Sequence, residues 1–296
     1  VGTGHLARAL APLLLASGYP IVAVAGRRAA SARALARTLR GARAVAAPER
    51  AVAAAELILL AVPDREIAPL ARRLCAAGRP GLRGKTFLHH AGALGREALE
   101  PLAAAGAAVA VLHPLQVLGD PAVARDVLPG STGRIEGHGR GLRVARRLAR
   151  DLGLVALELP PHSGEAERAA YHAAGALASN DVLALVAIAL ELLESAGVPR
   201  ARALRALAAL ARGTLVQAER AGIGAAITGP ASRGDVETLR RHLRVLERRS
   251  PAAAAVHRAL SLRLLDLALR ERIPGARAAR RKSTPLLAGR PQRSTV

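Results

Sequence analysis

The 296-residue sequence contains no methionine and no tryptophan, one phenylalanine, two tyrosines and one cysteine. Each scarcity excludes something. With Cys75 alone, no intramolecular disulfide can form, which points to a reducing cytoplasm; Cys75 follows an amphipathic pattern and reads as a small core residue. With so few aromatics, a platform for stacking nucleic-acid bases is missing. The formal net charge of +22 would suit a polyanion. That charge is almost all arginine, scattered along many predicted helices, with Lys85 and Lys282 the only lysines. It reads as a compositional bias towards Ala, Arg and Gly and argues against a nucleic-acid surface. No signal-peptide pattern is present. The longest uncharged apolar run in the helical half, Val182–Leu190, falls short of the ~20 residues that span a bilayer. The expectation is therefore a soluble cytoplasmic protein with no membrane contact. No metal-ligand spacing and no Gly-x-Ser-x-Gly elbow occurs, which argues against metallohydrolase and serine-hydrolase chemistry.

What is there begins at once. The chain opens on Val1-Gly2-Thr3-Gly4-His5-Leu6-Ala7, a Gly-x-Gly-x-x-Ala turn leading into a helix. In such a turn Gly2 permits the tight bend, Gly4 lets a pyrophosphate approach the backbone, and Ala7 allows close helix–strand packing. The helix N-terminus then faces the phosphates with free N–H groups. The strand that should precede the turn is reduced to Val1, so a truncated N-terminus is expected. Ile21–Ala25 reads as the next parallel strand and ends at Gly26-Arg27-Arg28. Domains of this kind that prefer NAD place a carboxylate there for the ribose 2′-hydroxyl. Arginines suit a 2′-phosphate instead, because a guanidinium forms paired charge-assisted bonds with it. NADP is the expected cofactor, NAD the lesser one.

Strand signals recur near Ala44, at Leu57–Val62, Thr86–His89, Ala107–Leu112, Ser131–Glu136 and Leu154–Leu159. Leu57–Val62 is continuously apolar, as a strand buried on both faces must be. It stops at Pro63-Asp64, on the carboxyl edge of the sheet where ligands bind; Asp64 would also serve as a helix cap. Thr86–His89 runs into His89-His90-Ala91-Gly92-Ala93, and Ala107–Leu112 into His113-Pro114-Leu115-Gln116. Adjacent strand residues point to opposite faces, so His89 and His90 cannot share a metal.

The expected fold is α/β: a Rossmann-like doubly wound sheet with a truncated first strand over residues 1–160, then an all-helical domain over 161–273. Pro160-Pro161 marks the boundary. Residues 274–296 carry six basic and no acidic residues among Pro, Gly and Ser, and read as a disordered basic tail. At the seam lies Tyr171-His172-Ala173-Ala174-Gly175-Ala176-Leu177-Ala178-Ser179-Asn180-Asp181. On a helical period His172, Ala176 and Ser179 share a stripe with Asn180 on its flank, among residues small enough for a ligand to approach. Further on, Thr228–Asp235 is a turn-rich loop in which Asp235 is placed to cap the next helix.

Through about Arg272 the sequence resembles the bacterial domain-of-unknown-function-2520 family, Rossmann-like proteins with a helical C-terminal domain. The motifs that carry the resemblance are Gly2-x-Gly4-x-x-Ala7, Ala61-Val62-Pro63-Asp64, His113-Pro114-Leu115-Gln116, Tyr171-His172-Ala173-Ala174 with Ser179-Asn180, and Thr228-Gly229-Pro230 with Arg233-Gly234-Asp235, Thr238 and His242-Leu243. That family is similar to the 6-phosphogluconate and β-hydroxyacid dehydrogenases, pyrroline-5-carboxylate reductase and prephenate dehydrogenase. The resemblance implies a nicotinamide cofactor on the first domain, a small-molecule substrate between domains and a homodimer through the helices. Two departures stand out. Ala91 replaces a serine usual in the family, and Ala176 stands where β-hydroxyacid dehydrogenases carry a catalytic lysine, if Asn180 matches their asparagine.

Together these features give an NADP-dependent oxidoreductase reducing a carbonyl or imine of a small metabolite, such as a carboxylate-bearing one, as the expected activity. The cofactor would meet Gly2, Thr3, Gly4, His5 and Leu6, with its 2′-phosphate at Arg27 and Arg28 and its nicotinamide near Val62, Pro63 and His89. His113 and His172 are the candidate proton donors, since histidine titrates near neutrality, and Asn180 would orient the substrate. Gln116, Tyr171, Ser179, Arg233, Asp235 and Thr238 are the remaining substrate candidates, with Arg233 as a carboxylate clamp. The alternatives are a dinucleotide-binding sensor or scaffold without chemistry and a deazaflavin-using reductase.

Overall fold

The computed structural model describes residues 1–160 and 163–289. Its first compact unit, Val1–Asp181, holds every strand among the described residues. Strands β1 (Ala23–Ala25) and β2 (Arg43–Val45) pair in parallel. Strands β3 (Leu57–Leu60), β4 (Thr86–His89) and β5 (Ala108–Pro114) form a second parallel set, extended by β6 (Thr132–Gly137) and β7 (Val155–Glu158) in the order β3-β4-β5-β6-β7. The helices that follow the strands in sequence are the crossovers a parallel sheet requires. One pairing departs from the doubly wound expectation: β6 runs antiparallel to β5, with His113 opposite Arg134. The β5–β6 connection carries only the short helix α6 (Pro121–Val127) and provides no crossover.

Alanine, leucine and valine fill both faces of the larger sheet. On one face Leu88, Ala110, Leu112 and Ile135 pack against Leu10 and Leu14 of α1 (His5–Ala16) and against Ala145, Leu148 and Ala149 of α7 (Gly139–Asp151). On the other, Ile58, Leu60, Phe87 and Val109 meet Ile67, Ala71, Leu74 and Cys75 of α4 (Asp64–Gly78). The lone cysteine is thus a buried free thiol.

Between β1 and β3 the sheet is interrupted. Val1 and Gly2 bridge the gap at its carboxyl edge: the Val1 amine donates to Leu59 O at 2.7 Å, Val1 O accepts from Ala61 N at 2.7 Å, and Gly2 N donates to Ala25 O at 2.8 Å. Behind them lies a cavity of about 120 Å³ lined by Val1, Leu10, Val24, Ile58 and His90, among others. Burial pushes the Val1 amine down to about 6.

The domain boundary falls later than Pro160-Pro161, of which Pro161 lies outside the described residues. Helix α8 (Glu165–Ala176) belongs to the first unit, tied there by buried Tyr171 and by Arg168, which donates to Glu97 at 2.6 Å. A π turn over Leu177–Asp181 follows. From Val182 the second unit is helical, with α9 (Val182–Ser195), α10 (Arg200–Ala226), α11 (Pro230–Arg233), α12 (Val236–Arg249) and α13 (Pro251–Arg270). Its core gathers Leu239, Leu243 and Leu265. Where composition predicts a disordered tail from 274, the structure has a helix, α14 (Ala276–Leu287). Ala276, Ala279, Ser283 and Leu287 are buried on one of its faces, a helical spacing masked by the small side chains and the surrounding arginines. The part of the expected tail beyond residue 289 lies outside the described residues.

Counted through the π turn, Glu165–Ser195 is one 31-residue helical run, long and apolar enough by length and composition to cross a membrane. The uninterrupted-run count from the sequence does not reveal this, because Asp181 splits the run.

Candidate functional site

The glycine turn has the geometry of an anion cradle. Gly2 sits at φ 111°, and a Cβ there would lie 2.0 Å from Ala61 O, so only glycine lets the turn lie against the end of β3. Gly4 precedes α1 with no side-chain cap, no acidic residue follows in the first turn, and no atom stands within 4 Å of where its Cβ would be. The first N–H groups of α1 are thus left without a side-chain cap, an arrangement that favours a phosphate. Thr3 packs over Gly26, Leu6 packs into the core below, and the ring of His5 is hydrogen-bonded to Gly119 O at 2.8 Å. Arg27 and Arg28 follow β1, both exposed and without a carboxylate in ion-pair range among the described residues. Val62 and Pro63 leave β3 at the same edge.

A second feature lies at the end of β5. A cavity of about 530 Å³ is lined by His113 to Val117 and by residues of α8 and the π turn, including His172, Ser179 and Asn180. Ser179 Oγ donates to Gly175 O at 2.7 Å, and this back-bond holds the widened turn that presents Asn180. The lining includes Ala176 and no formally charged side chain.

His113 is the most constrained of these groups. Its Nδ1 lies 3.1 Å from the Tyr171 hydroxyl, and the two rings meet edge to face at 5.6 Å. Its Nε2 projects over Gly92, where a Cβ would come within 2.9 Å of Nε2 and within 2.6 Å of His172 Cδ2. Gly92 thus makes room for both imidazoles, whose centroids are 6.3 Å apart. Burial, and then the neighbouring Arg134 guanidinium, push His113 down to about 4. The ring is neutral at neutral pH, so it offers a hydrogen bond and not an imidazolium proton. Burial raises Tyr171 above its usual range.

Arg134 is fully buried on β6, beside His113. It donates to Glu136 at 2.7 Å, to Leu94 O at 2.6 Å and to Ala91 O at 3.3 Å, and its Cζ lies 5.7 Å from the centre of the Tyr171 ring. Glu136 in turn accepts from Arg96 N at 2.9 Å. The loop that carries Gly92 is thereby pinned to β6.

Residues 132–264 match the model of the domain of unknown function (DUF2520), and residues 1–114 match that of a Rossmann-like domain. The chain thus carries a Rossmann-like segment followed by a DUF2520 segment. In it, His113 belongs to the Rossmann-like segment, while Arg134, Tyr171 and Asn180 belong to the DUF2520 segment. Three solved structures share its fold. A Bacteroides fragilis protein provisionally described as an NADP oxidoreductase is 24% identical, with a TM-score of 0.69 over 89% of this chain and 95% of its own. A reductive aminase from Aspergillus terreus, in complex with NADPH and ethyl-5-oxohexanoate, is 22% identical, with a TM-score of 0.63 over 91% and 92%. A pyrroline-5-carboxylate reductase from Coxiella burnetii is 17% identical, with a TM-score of 0.58 over 95% and 96%. None of the curated proteins is detectably similar.

The structure thus brings His113, Gln116, Tyr171, His172, Ser179 and Asn180 together, but their surroundings differ. Tyr171 is spent on His113, its ring buried at 9% exposure. His89, expected near a nicotinamide, is fully buried; its Nδ1 accepts from Ala91 N at 3.2 Å and its Nε2 lies 2.9 Å from Gly95 O, so its ring ties down the loop. Arg233, Asp235 and Thr238 lie in the second unit. There Asp235 caps α12, accepting from Thr238 N at 3.1 Å and from its hydroxyl at 2.7 Å. Those bonds hold the Asp235 carboxyl below its usual range. Arg233 is exposed. Sequence reading missed Arg134, Glu136 and the steric part of Gly92. Alternation along β6 could have flagged Arg134, since it falls on a strand whose neighbours are apolar or small.

Proposed function

We propose that this protein is an NADPH-dependent reductase of a small imine, with a carbonyl compound as the weaker substrate. The observation that carries the reading is an uncapped glycine turn at one end of the sheet's carboxyl edge, with a neutral, oriented His113 in a cavity at the end of another strand. The residues present fit the coenzyme. The α1 N–H groups and Gly4 would hold the pyrophosphate, Arg27 and Arg28 the 2′-phosphate, and Val62 and Pro63 the nicotinamide end. Bound there, the coenzyme supplies a hydride. The Bacteroides and Aspergillus proteins, described respectively with NADP and with NADPH, support the choice of nucleotide.

What this chain's own residues add is polarity without a free proton. His113 donates a hydrogen bond from Nε2 to an oxygen of the substrate, since the nitrogen of a protonated imine has no lone pair to accept one, and Gln116 and Asn180 fix the substrate's polar end. A ketone becomes an alkoxide when it accepts hydride and must then be protonated. A protonated imine becomes a neutral amine and needs no further proton. Neutral His113, with Ala176 where a lysine would otherwise supply a proton, favours the imine.

The second unit exposes Leu183, Leu204, Leu210, Leu215 and Ile223, mostly on α10. An apolar surface of this kind needs a cover, and the reading includes a homodimer through these helices. Sedimentation of Leu210→Glu against wild type checks it, the variant being expected as monomer.

Calorimetric titration tests the cofactor. NADPH should bind at least tenfold more tightly than NADH, and Arg27→Ala/Arg28→Ala should lose that margin, about 1.4 kcal/mol. Cyclic imines and keto acids are then compared by NADPH oxidation. If neither nucleotide binds, the reading fails; if NADPH binds but no imine or carbonyl is turned over, the protein is a nucleotide sensor.

A further inference from the structure

We propose that Arg134 is a positioning residue for His113: its buried guanidinium, acting through Tyr171 and the Ala91–Leu94 loop, fixes the His113 ring with Nε2 as the proton-bearing nitrogen. The proposal rests on the reading of His113 as the polarising group. Its evidence is the placement of one side chain at the meeting point of three others.

Arg134 stands directly across the antiparallel β5–β6 pairing from His113, so the two side chains leave the sheet on the same face. The arginine side chain is 1% exposed. An arginine buried in a strand is costly unless its charge is compensated and its donors are used. Here one Nη donates to Glu136 and the other to Leu94 O and Ala91 O. Nε is buried without a partner. The two carbonyls flank Gly92, the residue whose missing side chain leaves space for Nε2 of His113. Displacing the loop would close that space. The guanidinium carbon also lies over the ring of Tyr171, 5.7 Å from its centre, and the hydroxyl of that ring meets Nδ1 of His113. With the hydroxyl donating to Nδ1, the ring proton is confined to Nε2. Arg134 therefore holds the hydroxyl on one side of the imidazole and the floor of the cavity on the other.

Electrostatics runs the same way. The charged and titratable groups around His113 are Arg134 and its partner Glu136 on β6, His89 on β4 with His90 just after it, and His172 and Tyr171 on α8. After burial, Arg134 is the largest influence opposing protonation of His113. Glu136 is engaged by both Arg134 and Arg96 N and moderates that effect without reaching the imidazole.

The test is imidazole nitrogen NMR on the whole chain, with the His113 signals identified by their loss in His113→Gln. In wild type, His113 should show one neutral tautomer, protonated at Nε2, from pH 5.5 to 8. Arg134→Met/Glu136→Gln removes both charges together and avoids leaving an orphaned carboxylate. It should give a mixture of tautomers and raise the His113 midpoint by about one pH unit or more. Arg134→Lys keeps the charge and loses the fork: the midpoint should stay near the wild-type value while the tautomers mix. A folded double variant with a single Nε2 tautomer and an unmoved midpoint overturns the proposal. If the double variant does not fold, a single retained tautomer in Arg134→Lys overturns it equally. Neither readout needs substrate or coenzyme, so the positioning role and the reductase reading can fail separately.

Discussion

The hydroxyl of Tyr171 sits 3.1 Å from Nδ1 of His113, joining α8 to the end of β5 inside the first unit. A tyrosine so used sets a tautomer and needs no contact with substrate. Tyr171→Phe keeps the buried ring and removes the hydroxyl. Loss of one such bond is expected to cost about 1 kcal/mol of stability and to lower turnover roughly tenfold, with little change in NADPH affinity. Thermal melts, calorimetry and NADPH oxidation measure the three separately. A variant with wild-type turnover would show that the hydroxyl is not needed to orient the ring.

Gly92 makes a steric prediction. A methyl group there would meet His172 at 2.6 Å and His113 at 2.9 Å, distances that force at least one ring to move. Gly92→Ala should destabilise the protein by about 1–3 kcal/mol and abolish most turnover, while the glycine turn at Gly2 and Gly4 continues to bind nucleotide. Unchanged melting and turnover would mean that the two imidazoles do not converge over this residue.

The buried histidines set the acid limit of stability. His113 and His90 are each held at about 4, His113 by burial and Arg134, His90 chiefly by burial. Their unfolded value is about 6.5. Both native pKa values are depressed, so between pH 6.5 and 4 the unfolded chain binds more protons than the native one. Stability should be fully present above about pH 6.5 and fall as pH drops towards 4. The slope in that window should correspond to at least two protons taken up on unfolding, because burial also lowers His89 and His257. Chemical denaturation across pH 4–8 measures it, and His90→Gln should reduce it by about one proton. A flat profile would place both rings in contact with water.

Much of this was legible from sequence because each signal was local. Glycines before a helix, apolar runs ending in Pro63-Asp64 or His113-Pro114, and the small-residue stretch after Tyr171 all report on their own neighbourhood. What escaped depends on partners distant in the chain. Arg134 is one arginine among many, and only the pairing of β5 with β6 sets it beside His113. The antiparallel turn of that pairing rests on the length and path of a connection, which residue types do not encode. The π turn adds a backbone register shift that helical periodicity cannot express, and α14 hides a buried face made largely of alanine and serine.

The gap between β1 and β3 yields the last prediction. Val1 lies in parallel register beside β3, giving and accepting one hydrogen bond there, while Gly2 reaches Ala25 at the end of β1. Behind them the facing edges of β1 and β3 are not paired to each other, and the cavity between them is lined by apolar side chains and His90, whose Nε2 has no partner. An extended segment joined ahead of Val1 would run between the two edges, complete both ladders and bury its inward side chains against Leu10, Val24 and Ile58. Each buried valine or isoleucine contributes about 1.5–3 kcal/mol against roughly 1–2 kcal/mol per residue for ordering the backbone. These terms nearly cancel, so the ladder hydrogen bonds decide the sign, at about 1 kcal/mol each, and a fusion of four alternating valines and isoleucines should raise stability and the melting temperature modestly. A control segment of four glycine and serine residues should leave both unchanged. Equal melting temperatures for the two fusions would mean that the edges of β1 and β3 do not accept a strand.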